Sequence, residues 1–387
     1  MRMAVVGCGY VADFYARNLS VHPDLSIVSA YDSDLARRDA WCSHFKIPAA
    51  ESLDAILADP TVDMVLNLTN PRSHMEVSSA ILRAGKHLYS EKPLGMTLDE
   101  AKALVALADA EGVRIGCAPC NMLNDTVRTV AETIRAGTIG KVRLAYANYD
   151  DGMIAPAEKP WNWRSESGAP WPAKDEFEIG CTYEHAGYYL TVLSALFGPA
   201  RTVTAFASTQ IHDKGIPVDG MAPDFSVGCI EYDDGVVARV TAGLVAPVDK
   251  SLTIVGDDGV LVVRYLRNDR ERILVKPRKQ GRTLAGIVNK VPAVLRKIGL
   301  PLGEFMLYPR SIVPEGKTVS AGKNKPVDFL RGPQDMADAI RENRPHRLSG
   351  EFAVHVVEQI EALQYPARYG YHRVIESDYP AFDVTTA

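Results

Sequence analysis

Residues 4–32 constrain the fold more than any other stretch of the chain. Ala4-Val5-Val6-Gly7-Cys8-Gly9-Tyr10-Val11-Ala12 carries an apolar strand into G-x-G-x-x-A. Leu25-Ser26-Ile27-Val28-Ser29-Ala30-Tyr31-Asp32 is a second apolar strand ending in an acid. Gly7 permits the tight turn out of the strand. Gly9 lets a pyrophosphate approach the backbone, and Ala12 lets the next helix pack close to the sheet. The helix start offers N–H groups to phosphates. Asp32, about 20 residues further on, is placed to accept ribose hydroxyls. A lone G-x-G-x-x-A is weak, but here the strand before, the helix after and the distal acid agree on a dinucleotide site. Asp32 repels a ribose 2′-phosphate and so favours NAD. Arg37 and Arg38 lie near enough to leave NADP possible.

Further along, strands alternate with helices. Helices are expected at 33–45, 52–58, 73–84 and 98–111, and strands at 62–68, 87–90 and 113–117. This grammar implies a doubly wound parallel sheet with its ligand at the carboxyl ends of the strands. Asp32, Thr69-Asn70-Pro71 and Glu91-Lys92-Pro93 all fall at such ends. From about residue 121 the pattern changes. A helix at 126–136 and a strand at 141–149 precede a loop rich in aromatics and charge, holding Trp161, Trp163, Arg164, Trp171 and Lys174. A helix at 183–196 follows, then strand after strand. Asp233-Asp234-Gly235 and Gly256-Asp257-Asp258-Gly259 read as hairpin turns of a large, mostly antiparallel sheet. Helices return at 329–341 and 350–365. The expected organisation is therefore α/β: a Rossmann domain over 1–120 and a second α/β domain over 121–387, with an insertion at about 276–312.

Composition excludes several classes. A net charge of −5 argues against a nucleic-acid binder. No apolar run is long enough to span a bilayer. The chain enters a strand almost at once, with no secretion-type segment before it, so a cytoplasmic location is expected. Cys117-Ala118-Pro119-Cys120 spells C-x-x-C, but no second pair completes a zinc set, so no metal is expected and the thiols read as a strand end. Residues 276–310 are basic and apolar, and read as a surface insertion, a subunit arm or a contact for an anionic partner.

Together these pieces resemble the glucose–fructose oxidoreductase, inositol dehydrogenase and rhizopine-catabolism family, Gfo/Idh/MocA. The carriers are the Gly7–Ala12 motif, Thr69-Asn70-Pro71 with His74, Glu91-Lys92-Pro93, and the helix ending Leu193-Ser194-Ala195-Leu196-Phe197-Gly198. The resemblance implies a Rossmann domain and an open-sheet second domain that forms a homodimer or homotetramer. It implies NAD(P)-dependent chemistry on a carbinol of a sugar, cyclitol or nucleotide-sugar. Gly7, Cys8, Gly9, Tyr10, Val11, Ala12, Asp32, Thr69, Asn70, Pro71, His74, Glu91 and Lys92 would then border the cofactor. It further implies that Lys92 meets the substrate hydroxyl and that Lys92–Pro93 is cis. Many members carry an acid and, four residues on, a histidine before the L-x-x-L-F-G end. Here Glu184 and Tyr188 hold those positions, and residues four apart share a helical face. His185 is turned about 100° away.

Hydride transfer from a carbinol requires removal of the hydroxyl proton and stabilisation of charge on oxygen. Lys92, Glu184 and Tyr188 are the expected catalytic residues, with His185 the alternative base and core packing the plain alternative for Tyr188. A tyrosine titrates at about 10, and the Lys92 ammonium is expected to lower that by about 1–3 units. Trp161 and Trp163 offer faces for a sugar ring, and Arg164 and Lys174 offer charge to a substrate anion. Asn121, just past the fifth strand, is a further substrate candidate. The same residues would serve a redox-neutral glycoside hydrolase or lyase that oxidises its sugar transiently. A non-catalytic cofactor-binding regulator is the third reading, and it has no need of a lysine–tyrosine pair.

Overall fold

In a computed structural model of the chain, the structure describes residues 1–278 and 327–386, together with the backbone of three short strands between them. The first sheet contains β1 (Arg2–Val6), β2 (Ser26–Tyr31), β3 (Met64–Asn67), β4 (His87–Ser90) and β5 (Ile115–Cys117), in the order β2-β1-β3-β4-β5. All its pairings are parallel, with Met3 opposite Met64 and Val6 opposite Asn67. The helices α1 (Ala12–Asn18), α2 (Leu35–Phe45), α3 (Leu53–Ala58), α4 (His74–Arg83) and α5 (Leu98–Ala110) link and cover it. Asp34, Ser52 and Thr97 cap α2, α3 and α5 by accepting from Arg37, Ala55 and Glu100 N–H groups. Alternation along β1 splits the apolar residues between two faces. Met3 and Val5 pack with Tyr15 and Trp41, whereas Ala4 and Val6 pack with Ile81 and Leu104. Chain order reverses between β1 and β3, and the crevice beyond their carboxyl ends is where such sheets bind ligands.

The second sheet is larger. Its strands are β6 (Val142–Asp150), β7 (Ala200–Ser208), β8 (Phe225–Tyr232), β9 (Val237–Gly243), β10 (Leu252–Gly256), β11 (Gly259–Val263), β12 (Ile273–Pro277), β13 (Phe305–Leu307) and β16 (His372–Val374). The order is β13-β12-β11-β10-β6-β9-β8-β7-β16, antiparallel except between β6 and β9. The remaining strands β14 (Arg310–Ile312) and β15 (Thr318–Ser320) pair with each other. Both expected hairpin turns are present, and Asp234 and Gly235 take positive φ of 61° and 75° in the first. One face of the sheet packs on α6 (Asp125–Arg135), α8 (Gly187–Phe197) and α10 (Gly350–Gln364), through residues such as Val127, Leu193 and Ile360. The C-terminal segment also returns to the first sheet. Phe329, and Met336 of α9 (Arg331–Arg341), join Tyr15 and Trp41, and Ala353 and Val357 of α10 join Leu88.

Two elements differ from expectation near the cleft. Part of the expected loop is helical, as α7 (Ala173–Ile179), a two-turn helix with no side-chain cap to announce it. The helix expected at 183–196 opens with a π turn, Thr182–Ala186, before α8 begins. The basic stretch 276–310 falls largely outside the described residues, as does most of the 276–312 insertion. Among the described residues, no helix is long and apolar enough to cross a membrane.

Candidate active site

A cavity of about 570 Å³ lies between the two sheets. One end is built by the first motif. Gly7 has φ +97°, and a Cβ there would lie 2.6 Å from the Leu68 carbonyl carbon, so turn and packing both require glycine. At Gly9 a Cβ would meet nothing within 4 Å, so the chain leaves open space above the backbone at this point. Gly9, Tyr10 and Val11 line the cavity, while Ala12 is wholly buried beneath them. Cys8 contributes through its backbone: its N–H donates to Asp32 Oδ2 at 2.8 Å. Asp32 also accepts from Asp34 N at 2.8 Å and from Arg37 Nε and Nη2, each at 3.1 Å. An open glycine cradle followed by an anchored acid at the end of β2 fits a dinucleotide. For a cofactor ribose to take the Asp32 oxygens, Arg37 must move aside.

The middle of the cavity is edged by the ends of β3 and β4. Thr69, Asn70 and Pro71 line it. His74 sits behind them, buried, with its ring nitrogens 2.6 Å from the Pro93 carbonyl oxygen and 3.1 Å from that of Thr69. Burial lowers its pKa, and since both partners are acceptors the neutral ring donates to only one of them. Glu91 accepts from Tyr15 Oη at 2.8 Å and from Lys92 N at 3.1 Å, and burial raises its carboxyl pKa. Lys92 follows, with a cis bond to Pro93, as the resemblance implies.

At the far end, Lys92 Nζ donates to Glu184 Oε2. Burial alone would lower the lysine pKa, but Glu184, Tyr188 and Glu91 outweigh it and hold the ammonium charged. Tyr188 lies on the same wall, stacked 5.3 Å from Tyr149 at an interplanar angle of 18°. Here the electrostatics differ from the sequence expectation. The Tyr188 pKa is raised, because burial outweighs the opposing pull of Arg267 and Lys92. The Lys92 charge is already engaged by Glu184, and Tyr188 is a protonated phenol at neutral pH.

The π turn carries His185, the alternative base, next to Glu184. The two neighbours both line the cavity. His185 stacks on Tyr149 at 4.7 Å, with Nε2 3.0 Å from Glu176 Oε1 and Nδ1 3.3 Å from Asp151 Oδ2. Neither contact is aligned as a hydrogen bond, and His185 Nδ1, Glu176 Oε1 and Tyr149 Oη have no hydrogen-bond partner among the described residues. Behind them, Lys250 donates to Asp151 and lies 3.3 Å from the centre of the Tyr149 ring. Burial lowers its pKa to about 8.

The loop after β6 crosses to the first domain. Ser167 N and Oγ donate to Asp13 of α1 at 2.7 and 2.8 Å, and Arg17 pairs with Glu166 at 2.9 Å. This docking sets Pro170, Trp171 and Pro172 on the cavity wall. The expected substrate residues of this loop sit elsewhere. Trp161 packs against Gly215, and Trp163 packs behind Trp171 at 5.2 Å. Arg164 Nη1 donates to the carbonyls of Trp161 and Trp163 at 2.9 and 2.8 Å. Lys174 is half-exposed and pairs with Asp219 at 2.9 Å. Asn121 is buried behind Tyr188, whose carbonyl accepts from its Nδ2 at 2.7 Å. Sequence reasoning did not single out Tyr149, Glu176 or Arg267 as cavity residues, yet all three line it. Tyr149 closes a strand that runs toward the crevice, which was a usable signal. Arg267 sits in a charged turn with nothing to distinguish it from its neighbours.

Comparison with known proteins adds an independent line. Residues 1–118 match the GFO/IDH/MocA model described as an oxidoreductase family with an NAD-binding Rossmann fold, and residues 127–262 match the GFO/IDH/MocA C-terminal domain. The trans-1,2-dihydrobenzene-1,2-diol dehydrogenase of Mus musculus is 25% identical over 348 residues, covering 89% of this chain and 96% of its own. A levoglucosan dehydrogenase solved with NADH and levoglucosan shares the fold at a TM-score of 0.76 and 19% identity, over 97% of this chain and all of its own (100%). The WlbA dehydrogenase from Bordetella pertussis, solved with NADH and UDP-GlcNAcA, shares it at 0.70 and 19% identity, over 98% and 99% of the two chains.

Proposed function

Because the chain belongs to the Gfo/Idh/MocA family of oxidoreductases, we propose that it is an NAD(P)-dependent dehydrogenase acting on a secondary alcohol or ketone of a sugar, cyclitol or nucleotide-sugar. The observation that carries this reading is one cavity in which an open glycine cradle and Asp32 lead to Lys92, Glu184 and Tyr188. The dehydrogenase names of the relatives support it over the redox-neutral alternative.

Gly7, Gly9, Tyr10, Val11, Asp32, Thr69, Asn70 and Pro71 hold the cofactor, with Cys8, Ala12, His74 and Glu91 supporting them. NAD is the preferred form through Asp32, and Arg37 admits NADP. The nicotinamide supplies the hydride acceptor or donor when bound. The rest is the work of this chain. In the reducing direction the Tyr188 phenol donates a proton to the carbonyl oxygen. Lys92 donates a hydrogen bond to the same oxygen as charge grows on it. Glu184 fixes the Lys92 ammonium. His185, Glu176 and Tyr149 complete the wall beside the substrate hydroxyls. We place the protein in the cytoplasm, where its six unpaired cysteines stay reduced. Its exposed sheet residues Leu144, Phe206 and Val374 form the contact of a homodimer or homotetramer.

The test is the absorbance of reduced nicotinamide when the protein meets NAD⁺ or NADP⁺ and a panel of sugars, cyclitols and nucleotide-sugars. A rise with one substrate group supports the dehydrogenase. Cofactor binding without turnover across the panel contradicts it.

A further inference from the structure

Among the described residues, three lysine or arginine side chains line the cavity: Arg37, Lys92 and Arg267. Two of them are matched by carboxylates. Arg37 forks onto Asp32, and Lys92 sits on Glu184. The lysine just behind the wall, Lys250, is matched by Asp151. Arg267 differs from all of these. Among the described residues no carboxylate lies within ion-pair distance of it, and its guanidinium makes a single side-chain hydrogen bond, Nη2 to Tyr188 Oη at 3.5 Å. Its Cζ lies 4.5 Å from the centre of the Tyr188 ring and 5.7 Å from that of Tyr149, so aromatic faces take up its flat side. A guanidinium has five N–H donors, and nearly all of those here are unspent.

The backbone holds this side chain in place. Leu266 N donates to the Lys250 carbonyl at 2.9 Å, and Asn124 Nδ2 donates to the carbonyls of Leu266 and Asn268 at 3.3 and 3.2 Å. The residues on both sides of Arg267 are thus pinned to the body of the second domain. Asp151 acts on this cation from beyond ion-pair distance, and leaving its N–H donors unspent on a partly buried cavity wall is unfavourable unless something satisfies them. Asp32 and the glycine motif lie at the other end of the cavity, so a cofactor phosphate is not that partner.

We infer that Arg267 is the receptor for an anionic oxygen group, a carboxylate or a phosphate, carried by the substrate beside the carbon that reacts at Tyr188. This narrows the substrate class from sugars in general to acidic sugars, and it rests on the sugar-dehydrogenase reading of the same cavity. The forked N–H pattern suits a two-oxygen anion, and the Tyr188 and Tyr149 rings hold the fork in plane. Arg267 is a specificity residue here. It touches the substrate beside the reacting carbon, next to the Tyr188 hydroxyl to which its Nη2 also donates.

The test uses matched substrates on the whole enzyme. A uronate and the corresponding uronamide differ in charge but hardly in shape. A hexose 6-phosphate and the neutral hexose make the second pair. The wild type is expected to prefer one acid over its neutral partner in kcat/KM by on the order of 10- to 100-fold, the scale of a charge-assisted hydrogen bond. The pair that shows the preference identifies the carboxylate or the phosphate. Arg267→Met is expected to abolish the preference through KM while NADH affinity stays near wild type, and Arg267→Lys is expected to restore part of it. Equal turnover of acid and neutral forms by the wild type overturns the inference. So does an Arg267→Met enzyme that loses both forms equally in kcat, since Arg267 would then act only through Tyr188. Should Arg267→Met fail to fold, Arg267→Lys and the wild-type uronate–uronamide comparison still decide. If NADH binds but no sugar turns over, the dehydrogenase reading falls. Quenching of NADH fluorescence by uronate against uronamide then still reads Arg267 by itself.

Discussion

The two ends of the cavity are assembled in different ways. The cofactor end comes from one short run, Gly7 to Ala12, plus an acid closing the next strand, and much of its work is done by backbone. The catalytic end is made of side chains brought from the loop after β4, from β6, α7, the π turn, α8 and the turn after β11: Lys92, Tyr149, Glu176, Glu184, Tyr188 and Arg267. A phosphate cradle needs only a backbone path and the absence of side chains, so local sequence specifies it. A proton-transfer site needs charges at set distances in a partly dry space, and only the fold of both domains delivers that. Substitutions should separate the two ends cleanly.

The largest effect is expected at Lys92. Lys92→Met removes the cation that meets the developing oxyanion, and kcat should fall by about 10³-fold, the upper range for a lost donor. Cofactor affinity, measured by NADH fluorescence, should change little. An equal loss in both would merge the two ends that the comparison holds apart. Tyr188→Phe keeps the stack on Tyr149 but removes the proton, and kcat should drop by about 10²-fold, the lower range for general acid catalysis, because Lys92 still donates. Gly9→Val probes the other end. Nothing lies within 4 Å of a Cβ there, so the melting temperature should hold while the dissociation constant for NAD rises by on the order of 10- to 100-fold as phosphate contacts are blocked. The smallest change is expected from Arg37→Ala. Freed from its fork with Asp32, the acid is open to ribose hydroxyls, and binding of NADP relative to NAD should fall by about 10-fold, one charge-assisted contact.

How much was legible in the sequence follows the same division. The Rossmann sheet, its helices and Asp32 are read from contiguous periodicity and caps. The placing of Glu184 and Tyr188 on one face came from a four-residue spacing and a family anchor, and in the structure both line the cavity, with Glu184 on Lys92. What the spacing missed was the π turn, a backbone irregularity with no local signature; His185, the alternative base, lies in that turn and lines the cavity. The loop after β6 was harder still. Trp161 and Trp163 have the chemistry of sugar platforms, but a tryptophan packed against Gly215 or behind Trp171 has the same composition as one facing a ligand. Inside and cavity-facing are decided by the docking of Ser167 on Asp13, 154 residues apart. The tyrosine pKa was misjudged for a related reason. The lysine charge was foreseen, but the burial that outweighs it was not.

The central claim is that a protonated Tyr188, beside a Lys92–Glu184 pair, handles the proton. It is tested most directly by the pH dependence of hydride transfer in both directions, in the wild type and in Tyr188→Phe. Because the Tyr188 pKa is raised above the ordinary 10, the donor form is populated across the neutral range. Ketone reduction should therefore be flat there and fall only when the pH climbs past that value. Alcohol oxidation needs the phenolate and should rise with pH over the same range. Tyr188→Phe should flatten both limbs. Limbs that persist unchanged in Tyr188→Phe would contradict the account and move the proton to another group on the wall.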